Sequence, residues 1–297
     1  MSKATRIRQQ NARERIAAQR AAERKREVRN RFLITGGSIL VVVIVVVAFI
    51  VFKVSQNSSS SSSGSAGTAL TASVINDVTK VPAATLNAVG AGQVYAKSIT
   101  SVSAPALTSG GKPEMLYIGA EYCPYCATER WAMVVALSRF GTFSGLRGIH
   151  SSSTDVDPST PTLTFYKSTY TSKYLVFMPV EETTVSKATL QTPTAAQQAL
   201  ITKYDSPPYV SSTETGAIPF IDFAGQYLVH GAQYNPQDLQ GKTWAEVAAA
   251  LNDQSSTIGK GADGAANTIT AAICKITKDK PASVCGTSMI KSLQGQL

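Results

Sequence analysis

Two cysteines separated by two residues, Cys123-Pro-Tyr-Cys126, are the residues of this 297-residue chain best suited to chemistry. They follow a strand-like run, Met115 to Ala120, and precede a helix-like run beginning near Ala127. Residues three apart share a helix face, so the two sulfurs can close into a disulfide or reopen as a dithiol. Cys123 is expected at the helix N-terminus, where unpaired backbone N–H groups and the helix dipole favour thiolate over thiol. It is therefore the candidate nucleophile, exposed, and Cys126 is the buried resolving thiol. Pro124 suits the first helical turn, and Tyr125 is placed to shield one side of the reactive sulfur. The same spacing occurs in zinc sites, but zinc needs two more ligands. The chain offers only Cys274, Cys285, His150 and His230, without a second tight pair. Redox chemistry is preferred to metal binding, and no metal or other cofactor is expected.

The elements that must hold this pair are legible in outline. Strand signals fall at Val94 to Thr100, Met115 to Ala120, Leu146 to Ser151, Leu163 to Tyr166, Tyr174 to Val180, Ile218 to Phe223 and Gln226 to Gly231. Helix signals fall at Ala127 to Phe140, Thr194 to Tyr204, Thr243 to Leu251 and Ala265 to Ile276. Strand, helix and strand alternate and end in a hairpin, with its turn at Ala224-Gly225, followed by helix. The pattern indicates an α/β sandwich.

Two segments carry a family resemblance. Tyr117-Ile-Gly-Ala-Glu-Tyr-Cys-Pro-Tyr-Cys126 resembles the strand, loop and dithiol of thioredoxins, with the Cys-Pro-Tyr-Cys form typical of glutaredoxins. Thr215 to Gly231 resembles the thioredoxin stretch in which an Ile-Pro bond is cis, followed by two hairpin strands and a glycine. With Glu-Arg-Trp after the dithiol, the wider chain also looks like an uncharacterised thioredoxin-like family, the domain of unknown function 929. The resemblance implies a thioredoxin-like α/β sandwich in which a cis Pro219 sets the backbone of Ile218 beside the dithiol, where an extended substrate can pair with it. It also implies an insertion near residues 150–215, which is a candidate substrate groove. Tyr166, Tyr170, Tyr174 and Phe177 within it are read chiefly as packing residues. Where thioredoxins bury an aspartate before the dithiol, this chain has Tyr117, so that proton acceptor is missing. Glu121 and Glu129 are the nearby carboxylates, and each is read as solvated.

Cys274 and Cys285 have ten residues between them and read as a structural disulfide, worth roughly 3 kcal/mol by loop closure. A second redox pair is the alternative, but neither cysteine has the helix N-terminal placement that makes a thiol reactive.

Charge locates the rest. The first 31 residues hold eleven Lys or Arg against three Glu, and Lys53 completes the net charge of +9. Residues 33–52 carry no charge and are rich in Val and Ile, long enough to cross a bilayer as a helix of about 30 Å. Residues 1–32 are thus expected as a basic cytoplasmic segment, 33–52 as a single transmembrane helix, 53–69 as a Ser-rich linker and 70–297 as an extracytoplasmic domain. The basic block is read as a lipid-contacting flank, with no nucleic acid as partner.

Two classes of function remain. One is a membrane-tethered thiol–disulfide oxidoreductase acting on exported cysteine-containing proteins, served by a membrane or extracytoplasmic redox partner, and more an oxidant or isomerase than a reductant. The other is a non-catalytic binding module for metal or partner proteins on the same scaffold. Hydrolase and nucleotide chemistry are excluded by the lack of a nucleophile elbow or phosphate loop.

Overall fold

The computed structural model describes residues 67–96 and 98–297. The basic segment, the expected transmembrane helix and nearly all of the Ser-rich linker lie outside these residues. Among the described residues, no helix is long and apolar enough to cross a membrane.

The chain forms a mixed α/β structure. In order, its elements are β1 (Thr68–Ala69), α1 (Ala72–Thr79), α2 (Ala83–Val89), β2 (Thr100–Ser101), β3 (Thr108–Ser109), β4 (Lys112–Gly119), α3 (Pro124–Ser138), β5 (Gly141–Ser144) and β6 (Arg147–His150). There follow β7 (Pro161–Thr164), β8 (Thr169–Ser172), β9 (Val176–Glu181), α4 (Ala195–Tyr204), β10 (Phe220–Phe223) and β11 (Tyr227–His230). A 3-10 turn at Pro236–Leu239 leads to α5 (Trp244–Ala250), α6 (Thr257–Ile276), α7 (Ala282–Cys285) and α8 (Ser288–Gln294).

The central strand is β4. It pairs in parallel with β9 on one flank, Leu116 opposite Met178, and antiparallel with β10 on the other, Ile118 opposite Phe220. The sheet continues from β10 through β11 to β2. Because side chains alternate across a strand, Met115 and Tyr117 enter the larger core with α3 and α6, while Leu116 and Ile118 enter a second core with Tyr204 of α4. Both faces are covered, which is why β4 reads as a continuous apolar run. The β10–β11 turn is built at Ala224 and Gly225, with φ of +56° and +73°, the conformation a tight hairpin requires.

Helix starts follow from local chemistry. Thr194 with Gln197 caps α4, and Thr243 with Glu246 caps α5, each by a reciprocal capping box. Three expectations change in detail. Val94 to Thr100 forms no long strand, and only Thr100–Ser101 pairs, with β11. The span 150–215, read from the sequence as an insertion, contains β7, β8, β9 and α4, with β9 paired to β4 in the central sheet. The last two residues of the expected linker, Thr68 and Ala69, already pair with Gly148 and Arg147. Of Tyr166, Tyr170, Tyr174 and Phe177, the second and fourth pack with Phe143.

Candidate active site

Strand β4 ends at Gly119, and the chain turns through Ala120, Glu121 and Tyr122 into α3. Cys123 is the helix N-cap, with φ −76° and ψ 124°, and Pro124 takes the first helical position, where no N–H is needed. The Cys123 Sγ does what a cap oxygen usually does. It accepts the Cys126 N–H at 3.3 Å. Cys126 lies directly beneath, one turn on, and both sulfurs are free thiols.

Their environments differ. Cys126 is fully enclosed, and burial pushes its thiol well above the usual range. The Cys123 thiol is pulled below the usual range by a hydrogen bond from the Cys126 thiol, against the opposing effect of burial, with help from the Cys126 N–H and the Arg130 charge. An asymmetric pair results, with one sulfur stabilised as thiolate and the other as thiol.

Cys123 is 5 % exposed, so the expectation of an open nucleophile is corrected. Tyr122 and Ile218 cover it, together with Ala120. Tyr125, expected as the shield, is instead 42 % exposed and turns to a neighbouring groove. The Ile218–Pro219 bond is cis, and the Ile218 carbonyl lies 3.6 Å from the Cys123 Sγ, accepting from the thiol. Residues 95 apart in sequence thus meet at one atom pair.

Beside this contact lies a cavity of about 860 Å³, lined by Tyr125, Tyr209, Ala217, Ile218, His230 and Gly231 among others. One wall is the chain between α4 and β10. The His230 imidazole meets the Tyr204 carbonyl at 3.0 Å, and burial lowers its pKa, which keeps it neutral near pH 7.

Both carboxylates near the dithiol are buried rather than solvated. Glu121 accepts from the Thr164 hydroxyl at 2.7 Å. Glu129 accepts the Gln233 N–H at 2.9 Å through one oxygen, while its other oxygen has no partner, and burial raises its pKa to about 8. Sequence reasoning passed over Arg130 and Glu181, an ion pair with no exposed surface, joined at 2.8 and 2.6 Å. The available signal was a charged residue directly ahead of the apolar stretch from Trp131 to Leu137.

Cys274 and Cys285 are joined as a disulfide with Cα atoms 5.5 Å apart, tying the end of α6 to α7. They lie apart from the dithiol. Among the described residues no group of three or more His, Cys, Asp or Glu is placed to hold a metal ion.

A family model described as Domain of unknown function (DUF929) matches residues 98–275, more than half of the chain and the whole of the site. Comparison with curated proteins and with solved structures gave no match.

Proposed function

This chain belongs to the DUF929 family, and from the geometry of its site we propose that it is a thiol–disulfide oxidoreductase on a thioredoxin-like scaffold, tethered to the membrane and acting on exported proteins. The observation that carries the reading is the pair of free thiols at the N-terminus of α3, perturbed in opposite directions, with Cys123 at the Ile218 carbonyl. The scaffold is supported by element order. Strand β4, helix α3, parallel β9, helix α4, the β10–β11 hairpin and helix α6 follow one another as in the thioredoxin layout, with the cis Ile218–Pro219 bond entering β10. The tether is supported by the uncharged run 33–52 behind a basic flank.

In the reaction the Cys123 thiolate attacks one sulfur of a substrate disulfide, and the other substrate sulfur leaves as thiolate. Cys126 then attacks the Cys123 sulfur, closes the protein disulfide and frees the substrate. Run in reverse, the oxidised pair donates its disulfide. Stabilising the Cys123 thiolate stabilises the reduced form, which favours the oxidant or isomerase direction. A substrate strand lying along the groove beside Ile218 brings its cysteine to Cys123.

Trapping tests this. Cys126→Ser leaves attack intact and removes resolution, so mixed disulfides with exported proteins are expected to accumulate on non-reducing gels after acid quench and alkylation. Cys123→Ser is expected to trap none. The near-complete coverage of Cys123 is what favours the second reading, a binding module without turnover for metal or partner proteins. Equal trapping by both variants, or by neither, selects that module.

A further inference from the structure

Beneath the dithiol the chain buries a positive charge whose hydrogen bonding is incomplete. Arg130 lies one helical turn beyond Cys126. Its Nε and Nη2 donate to the two oxygens of Glu181 on β9, and Nη2 donates also to the Ala120 carbonyl at 2.8 Å. That carbonyl accepts the Cys123 N–H as well, at 3.3 Å. The guanidinium is thereby locked to both the central sheet and the loop that carries the nucleophile. Its remaining nitrogen, Nη1, is buried with no partner. So is the hydroxyl of Tyr117 on β4, whose ring lies 5.9 Å from the guanidinium carbon.

An unpaired buried donor forfeits its solvation without a replacement, and here two occur in one place, one of them on a cation. Such donors are tolerable where a negative charge comes and goes. The dithiol supplies one. During resolution Cys126 loses its proton to water, and its thiolate attacks the Cys123 sulfur. The Cys123–substrate bond breaks, the Cys123–Cys126 bond forms, and the substrate sulfur departs with the electron pair and takes a proton from water. In the reverse direction a substrate thiolate attacks Cys123, and Cys126 departs as the thiolate. Either way the charge appears on Cys126, the sulfur that burial most penalises.

We propose that Arg130, held by Glu181 and assisted by the Tyr117 hydroxyl, is the positioning residue that seats the Cys126 thiolate, replacing a buried proton acceptor by a buried cation. This rests on the thiol–disulfide reading. The titratable groups around the seat are Cys123, Tyr117 and Tyr122, with Glu181 on the far side of Arg130 and Glu121 held by Thr164. The Arg130 charge lowers the pKa of both thiols, in opposition to burial at Cys126.

The test uses the full chain in detergent and an aromatic disulfide, dithiobis-nitrobenzoate, whose two released thiolates report attack by Cys123 and resolution by Cys126 as separate phases. Arg130→Met with Glu181→Met leaves no uncompensated charge. It is expected to slow the second phase at least ~10-fold, more than the first, and to move the pH profile of that phase upward. Arg130→Lys is expected to recover most of the rate. Tyr117→Phe removes one hydroxyl in place and is expected to slow the second phase several-fold, which keeps the proposal testable if the double variant does not fold. A second phase unchanged in a folded double variant or in Tyr117→Phe, or Arg130→Lys behaving like the double variant, overturns it. Absence of a second phase in the wild-type chain would instead overturn the attacking and resolving roles themselves.

Discussion

Glu129 shows how burial changes the meaning of a residue. Helix α3 is enclosed almost all round, from Cys126 to Leu137, so its sequence offers no contrast between an apolar and a polar face. Read locally, Glu129 belongs on a solvated side, and the long-range partner that buries it, the Gln233 backbone, is 104 residues away. Arg130 escaped notice for the same reason, its partner Glu181 being 51 residues distant. The dithiol and Pro219 were legible because their chemistry is written in adjacent residues. The buried acid has a measurable consequence. An unfolded glutamate ionises near pH 4.3, whereas the folded one does so at about 8. Between those values only the unfolded chain has lost the proton, so stability falls as pH rises, and above about pH 8 the slope vanishes. Asp263 on α6, also raised to about 8 by burial, adds to the same trend. Glu129→Gln is expected to flatten the loss, gaining on the order of 4 kcal/mol relative to the wild type at pH 8 and little at pH 4. Denaturant midpoints at pH 4, 6 and 8 check this, and parallel curves for the two proteins would refute it.

At the level of elements, strongly patterned pieces were readable and close-packed ones were not. Strand β4, the β10–β11 hairpin and the caps of α4 and α5 announce themselves through apolar runs, turn residues and capping boxes. Helix α6 was expected from Ala265 but begins at Thr257, because Gly259, Gly261 and Gly264 argue against helix on propensity alone. Those glycines serve contact instead. A methyl at Gly261 would press on the Tyr234 ring at 2.6 Å, and one at Gly264 would strike the Ala91 carbonyl. Tertiary approach thus outweighs a propensity cost of about 1 kcal/mol per glycine. The disulfide between α6 and α7 closes a short loop, and Cys274→Ser is expected to lower stability by roughly 2–4 kcal/mol. Redox activity of the dithiol should persist, since the two pairs share no contact cluster. Activity lost with the melting temperature unchanged would make Cys274 and Cys285 an electron relay rather than a staple.

Across the whole molecule, charge is segregated. All of the net charge lies in residues 1–53, and residues 54–297 balance 16 basic against 16 acidic side chains. A positive flank ahead of an apolar run favours a cytoplasmic N-terminus, and for the tethered protein proposed above a membrane-impermeant label applied to intact cells is expected to reach cysteines introduced after Ser55 but not one at Ser2. Labelling at Ser2 alone would reverse the proposed orientation. The attachment of the domain has a mechanical side too. Strand β1 joins the described residues through two backbone positions on β6 and one bond from Arg147 Nε to the Gly67 carbonyl at 3.1 Å. A force drawing on the chain ahead of Gly67 therefore falls on a seam two residues long. Opening that seam would leave β4, β10 and the dithiol in place, because β1 pairs with β6 alone.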